Sequence, residues 1–252
     1  VLLGDPVAHS LSPRIHSAAL AAAGIAGSYS ARRVDAGGFA AAVEELRRGD
    51  VTGANVTMPH KARAFAAADV HDRAAAASGA VNTLLVHDGT LHGHNTDVSG
   101  LLRAWGGTAL PGTGPVLVLG AGGAAAAAVT ALREFEVHVS ARDMTAARVL
   151  CRRSGSRPVV WGVPVPGAVV VNATPLGMAG ESLPPEVSAA ATGFVDFAYG
   201  PGSTPAIAEA RSRGIPYIDG TQLLVAQAAD AFEIWTGRPA PTAAMTRAAA
   251  GI

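Results

Sequence analysis

Apolar and polar residues along the first hundred positions come in short bursts that switch between a period of two and a helical spacing. Val1–Leu3 is a brief apolar run, and Ser12-Pro13 opens a helical stretch to about Ala23. Tyr29–Val34 fits a strand, Phe39–Arg48 an amphipathic helix ended by Gly49, and Ala54–Thr57 a short strand. Pro59 is expected in the first turn of the next helix, where its missing N–H costs nothing. Ala80–Val86 and Leu91–Gly93 flank Asp88-Gly89, a favoured hairpin pair. This alternation predicts parallel βα units with a hairpin added.

A glycine- and proline-rich connector, GGTALPGTGP at 106–115, suits a domain boundary. VLVLGAGGAAAAAVTAL follows at once: four apolar residues, a glycine turn and a small-residue helix, together a βα unit. Further strand-like runs at Val137–Ser140, Val159–Val160, Val169–Asn172, Phe194–Asp196 and Tyr217–Ile218 have the spacing of a doubly wound nucleotide-binding domain. The fold class expected is therefore α/β, with an N-terminal α/β domain and a Rossmann-type domain.

Composition narrows the partners. Acidic and basic residues balance at 19 each, so no net field draws in nucleic acid or an anionic membrane. Two long uncharged stretches, roughly 105–132 and 164–180, are broken by glycine and proline and read as buried α/β elements rather than membrane spans. A single cysteine, Cys151, excludes an intramolecular disulfide and a thiolate zinc cluster, and a reducing cytoplasm fits best. The first residues, VLLGDP, carry no basic leader pattern.

Gly120-Ala121-Gly122-Gly123-Ala124-Ala125 is a G-x-G-x-x-A turn between a strand and a helix. The first glycine permits the tight turn, the second lets backbone approach a pyrophosphate, and the small residue lets helix and strand pack closely. The helix N-terminus then offers N–H groups to phosphate. About 20 residues on, EVHVS ends in Ala141-Arg142-Asp143. Arg142 suits the 2′-phosphate of NADP. Asp143 either binds the ribose of NAD or caps the helix MTAARVL, so NADP is favoured with NAD left open.

GANVTMPHK at 53–61 places a lysine where a strand turns into a helix, and Asn55 and Thr57 alternate on one face of that strand, placed to hydrogen-bond a polyol. HSLSPRIH at 9–16 follows the first strand in the same way, although Ser10 or Ser12 also serves as a helix cap. HGHNTD at 92–97 ends the hairpin and begins a helix at Asp97, itself a possible cap. Loops at the carboxyl ends of parallel strands converge on one crevice, so these clusters suit a small hydroxylated substrate. Hydride transfer needs a group for the hydroxyl proton, and Lys61 and Asp97 are the candidates. A helix N-terminus disfavours a cation by ~0.3–1 kcal/mol. A neighbouring carboxylate favours it more strongly, so Asp97 close to Lys61 would keep the ammonium charged.

GDPVAHSLSPRIH, GANVTMPHK, GAVNTL, NTD, LGAGGAA, NATPLGM, DFAYGPGSTP and DGTQLLVAQAA occur in this order along essentially the whole chain. In this the sequence resembles the shikimate dehydrogenases. The resemblance implies a substrate-binding domain over 1–102, with C-terminal helices from about 222 packing back on it, and an NADP-binding domain over 103–221. It implies reversible NADP-dependent reduction of 3-dehydroshikimate to shikimate by a cytoplasmic monomer or homodimer, with no metal. Ser10 and Ser12 would bind the substrate carboxylate, and Thr57, Asn82, Tyr199 and Gln227 would help hold its carboxylate and ring hydroxyls. Lys61 and Asp97 would be the catalytic pair. Gly120, Gly122, Gly123 and Ala124 would cradle the pyrophosphate, Arg142 would meet the 2′-phosphate, and Ala173, Thr174 and Gly220 would lie along the cofactor. Asp143, and Gln222-Leu223 where glycine and methionine are common, depart from the family pattern. The acidic residue leaves an NAD-using or dual-specificity quinate/shikimate enzyme as the alternative, and aminoshikimate relatives share the same framework.

Overall fold

A computed structural model of the chain describes residues 1–200 and 202–251; Pro201, within the quoted DFAYGPGSTP, and Ile252 lie outside them. The chain forms two compact units, Val1–Gly100 with Leu224–Ile252, and Leu101–Leu223.

The first unit begins with β1 (Leu2–Gly4), α1 (Ser12–Ala22), β2 (Ala31–Arg33), α2 (Ala36–Arg48), β3 (Gly53–Val56), α3 (Lys61–Ala67) and β4 (Val70–His71). It continues through α4 (Arg73–Ser78), β5 (Thr83–His87), β6 (Thr90–His94) and α5 (Thr96–Gly106). The sheet order is β2-β1-β3-β5-β6-β4. β2, β1 and β3 run parallel, and β5 and β6 form the expected antiparallel hairpin. Asp88 and Gly89 both take positive φ there, 49° and 74°, as a primed two-residue turn requires. On α2 the buried positions Phe39, Ala42, Val43 and Leu46 follow helical spacing. They close over Leu3, Ala54 and Val56. Burying a side chain such as Leu46 contributes about 1.5–3 kcal/mol.

The second unit is a six-stranded sheet, β12-β11-β10-β7-β8-β9, in which each neighbouring pair is parallel. Its elements are β7 (Pro115–Leu119), α6 (Gly123–Ala131), β8 (Glu136–Ser140), α7 (Met144–Ser154) and β9 (Arg157–Val159), then β10 (Val169–Asn172), α8 (Pro185–Ala190), β11 (Gly193–Asp196), α9 (Pro205–Arg213) and β12 (Tyr217–Ile218). The central strands β7, β10 and β11 read as near-continuous apolar runs and are buried on both faces, as strands in parallel sheets are. Connections leave β7 toward β8 on one side, while β10 lies on its other side, so the order reverses between β7 and β10. Such a switch point opens a crevice at the carboxyl ends of the strands.

Helix α10 (Gly220–Thr236) carries the chain back to the first unit, and α11 (Thr242–Ala250) completes it. Val225, Ala228, Ala229 and Phe232 of α10 pack with Met245 and Ala249 of α11 on Ile15 and Ala19 of α1. No helix among the described residues is long and apolar enough to cross a membrane.

Two local expectations change. Pro59 stands outside α3, because His60 N–H donates to Thr57 O at 2.9 Å and this turn delays the helix until Lys61. The connector at 106–115 lies inside the second unit, since the unit boundary falls within α5, between Gly100 and Leu101. The short elements β4 and α4 have too few residues to show a period.

His16 on α1 is buried with its Nε2 unpartnered among the described residues. Its ring stacks on Tyr29 at 4.3 Å, and Trp235 lies 5.2 Å away. Burial holds its imidazole down to about 3, against an ordinary value of 6.5. The folded protein therefore keeps His16 neutral where the unfolded chain takes up a proton, so stability is full above about pH 6.5 and falls as pH drops toward about 3. Denaturant titrations of the parent should show about 2 kcal/mol lost from this source by about pH 5. His16→Phe, which keeps a stacking ring without the titration, should flatten that loss; an unchanged pH slope would contradict the assignment.

Candidate active site

In the first unit, β1 and β3 pair in register, Leu2 with Asn55 and Leu3 with Val56. Their carboxyl ends therefore open at one edge, and Asp5 N–H joins the two following loops by donating to Met58 O at 2.9 Å. The first of these loops carries Ser10 and leads into α1 at Ser12; the second carries Thr57 and leads into α3 at Lys61. Ser10 Oγ accepts from Ser12 N–H at 3.2 Å, which satisfies one of the free donors at the start of α1. The side chains of Ser12 and Thr57 make no hydrogen bond among the described residues.

Asn55 does not join them. Its side chain is buried, Oδ1 accepting from Tyr29 Oη at 2.6 Å and Nδ2 donating to Thr83 Oγ1 at 3.0 Å and Asn82 O at 3.3 Å. Strand alternation placed Asn55 and Thr57 on one face, but Tyr29, just before β2, and Thr83 of β5 cover Asn55 and leave only Thr57 partly exposed.

Lys61 is the first residue of α3 and Asp97 stands in the first turn of α5. Lys61 Nζ meets Asp97 Oδ2 at 2.5 Å, with side-chain exposures of 15% and 10%. The helix dipole opposes the lysine charge by only about 0.3–1 kcal/mol. The attraction of a close pair is about 4 kcal/mol at 4 Å in the effective medium near a protein surface, several times what the dipole opposes. Asp97 is free for this role because Asn95 takes the capping position, its Oδ1 accepting from Asp97 N–H at 3.2 Å. His60, beside the lysine, is committed to structure: its Nε2 bonds Val34 O at 2.8 Å and its ring stacks on Phe39.

A buried polar network holds the start of α5 behind the pair. Asn82 Oδ1 accepts from Thr96 N–H at 2.8 Å, and its Nδ2 donates to Thr96 Oγ1 at 3.0 Å and Gln227 Oε1 at 3.4 Å. Asn95 Nδ2 donates to Ser78 Oγ at 2.8 Å and Ala80 O at 2.9 Å. Gln227 Nε2 donates to Leu224 O at 3.0 Å and keeps a second hydrogen for another acceptor. Thr96 and Asn95 were missed as individual residues in the sequence. They sit inside HGHNTD, where only Asp97 drew attention as a charged group.

In the second unit, Ser140, Leu119, Asn172 and Asp196 end four neighbouring strands and lie in one register row. Arg142, the glycine turn, Ala173-Thr174 and Tyr199 all follow that row, so the strand order gathers them at one edge. Gly120 has φ +115°, and a Cβ there would stand 2.8 Å from Ala173 O; only glycine fits. Gly122 is the N-cap of α6 with no side-chain cap and open space beside it. The first N–H groups of α6, from Gly123 and Ala124 onward, are thus free for an anion. Arg142 is exposed and makes no ion pair among the described residues. Asp143 is occupied: its Oδ1 accepts from Thr145 N–H at 2.9 Å and Ala146 N–H at 3.1 Å, capping α7. Gly220 has a steric reason of its own, because a Cβ would meet Asp196 O at 3.1 Å and the Ala198 carbonyl closer still. Gln222 forms a capping box with Asp219, accepting from Asp219 N–H at 2.9 Å while Asp219 Oδ1 accepts from Gln222 N–H at 2.9 Å. That local bargain accounts for glutamine at 222.

Comparisons with known proteins agree in one direction. A profile described as the shikimate dehydrogenase substrate binding domain matches residues 2–84, and one described as the shikimate 5'-dehydrogenase C-terminal domain matches 220–250. The shikimate dehydrogenase (NADP(+)) of Acidiphilium cryptum is 41% identical over 257 residues, covering 94% of this chain and 89% of its own. The crystal structure of shikimate 5-dehydrogenase from Thermus thermophilus in complex with NADP(H) and shikimate has 38% identity and a TM-score of 0.90, over 99% of this chain and 97% of that one. The Listeria monocytogenes shikimate 5-dehydrogenase, solved with shikimate and NAD, has 29% identity and a TM-score of 0.81, over 97% and 93%.

Proposed function

This chain belongs to the shikimate dehydrogenase family, and from that premise we propose that it catalyses the reversible NADP-dependent reduction of 3-dehydroshikimate to shikimate. The observation that carries the mechanism is the Lys61–Asp97 pair at 2.5 Å. NADPH, when bound, supplies the hydride to the substrate carbonyl carbon. Lys61 Nζ donates a proton to the oxygen as it becomes an alkoxide, and the neutral amine remains hydrogen-bonded to Asp97. In the reverse direction the amine takes the hydroxyl proton, and Asp97 stabilises the ammonium that forms.

The remaining roles follow from which polar groups are unspent. Ser12, with its hydroxyl unpaired among the described residues, and Ser10 hold the substrate carboxylate. Thr57, Tyr199 and the second Nε2 hydrogen of Gln227 serve carboxylate and ring hydroxyls, while Asn82, its amide already committed, keeps Gln227 and Thr96 in place. Gly120, Gly122, Gly123 and Ala124 leave room and N–H donors for a pyrophosphate. Ala173 and Thr174 line the cofactor, and Gly220 keeps backbone close to it. Arg142, free of ion pairs among the described residues, suits a 2′-phosphate, and the commitment of Asp143 to α7 supports NADP over NAD. A reducing cytoplasm suits the single buried cysteine, and the enzyme acts there on free small molecules as a monomer or homodimer.

Purified protein given shikimate and NADP should form NADPH and 3-dehydroshikimate in equal amounts. Folded protein that binds NADP yet forms neither product would refute the activity.

A further inference from the structure

We propose that Asp196 is a positioning residue for NADP: it fixes the loops after β10 and β11 that carry Ala173, Thr174 and Tyr199. The proposal rests on the functional reading above, in which those three residues face cofactor and substrate.

Asp196 ends β11 opposite Asn172 at the end of β10 and has no exposed surface. Its Oδ1 accepts from Asn172 Nδ2 at 2.8 Å and Ala198 N–H at 2.9 Å, and its Oδ2 accepts from Thr204 Oγ1 at 2.6 Å. Burial pushes its carboxyl above the ordinary range, and the Asp219 charge adds to that; its three hydrogen-bond donors hold against it. A carboxylate kept in so dry a place needs every donor it has.

The consequence runs through Asn172. An amide side chain presents oxygen to one side and NH2 to the other, and the two ends are nearly the same shape. Asp196 accepts on the side it presents, so Nδ2 of Asn172 must face it. Oδ1 is thereby turned toward Thr174, where it accepts from the backbone N–H at 3.1 Å and from Oγ1 at 2.6 Å. Nδ2 also donates to Leu176 O at 2.8 Å, closing the loop behind Thr174. On its other side Asp196 anchors Ala198, next to Tyr199, and Thr204, the N-cap of α9. One buried acceptor thus orients one amide and fixes two loops, without itself reaching the cofactor edge.

The test compares NADP affinity by calorimetry, with thermal unfolding as the check on folding, in Asp196→Ala and Asp196→Asn. Asparagine can still turn its oxygen to Asn172 and Ala198, whereas alanine cannot. Asp196→Ala should weaken NADP about tenfold or more, with KM for NADP rising further than kcat falls. Asp196→Asn should stay within about threefold of the parent. A folded Asp196→Ala enzyme with parental NADP affinity overturns the proposal. If Asp196→Ala does not fold, Thr204→Val and Thr204→Ser replace it: the valine variant should lose about fivefold and the serine variant almost nothing. Equal affinity in those two overturns it as well. Affinity is read without turnover, so an enzyme inactive on shikimate contradicts the activity while the affinity comparison still decides this point.

Discussion

Lys61→Ala is expected to lower kcat by ~10²–10⁴-fold, the largest single loss in the molecule, while KM for shikimate changes far less. The reason is the division of labour at the start of α3 and α5. On the proposed mechanism Lys61 Nζ, paired with Asp97, exchanges the proton with the reacting oxygen. In the same proposal substrate affinity comes mainly from elsewhere, from Ser12, Thr57 and Gln227. Alanine also leaves Asp97 half of an ion pair with little solvent around it, and so costs some stability. Lys61→Met, which fills the same space without the charge, separates the two effects: it should match alanine in kcat. An enzyme with parental kcat after either change removes Lys61 from the chemistry.

Arg142→Ala should raise KM for NADP by about 10–100-fold, the worth of a charge-assisted bidentate contact to phosphate, and leave kcat/KM for NAD nearly unchanged. Arg142 is exposed, so its removal should not shift the melting temperature. Asp143→Ala should behave in the opposite way. It removes the cap of α7, which costs about 1 kcal/mol of stability, without creating or abolishing a preference between cofactors. Equal losses with NADP and NAD in Arg142→Ala would contradict the assignment of that side chain to the 2′-phosphate.

The fold was legible wherever a period was long enough to count. Phe39 to Arg48 and the apolar strand before GAGGAA announce their structure through neighbours in the sequence, and the hairpin through one dipeptide. Lys61 and Asp97 were legible for a different reason, as charged groups at two strand-to-helix transitions in a chain poor in charge. Asn55 was misplaced because alternation gives the side of the sheet but not what covers that side; Tyr29, from the segment before β2, and Thr83, from β5, do so. Asp143 left two roles open, and only the geometry of α7 shows where its carboxylate goes. Asp196 gave no signal at all. Its partners Asn172 and Thr204 come from the neighbouring strand and from the start of the next helix, and nothing in FVDFAYG marks the acid as buried.

The central claim, that Lys61, Asp97 and the Arg142-bearing cofactor edge make an NADP-dependent shikimate dehydrogenase, meets its most direct test in one kinetic matrix. The measurement is kcat/KM for shikimate and for quinate, each with NADP and with NAD. The proposed function predicts the highest value for shikimate with NADP, and a marked drop when either partner is exchanged. Equal or higher efficiency with NAD or with quinate, or no turnover in any of the combinations, would contradict it.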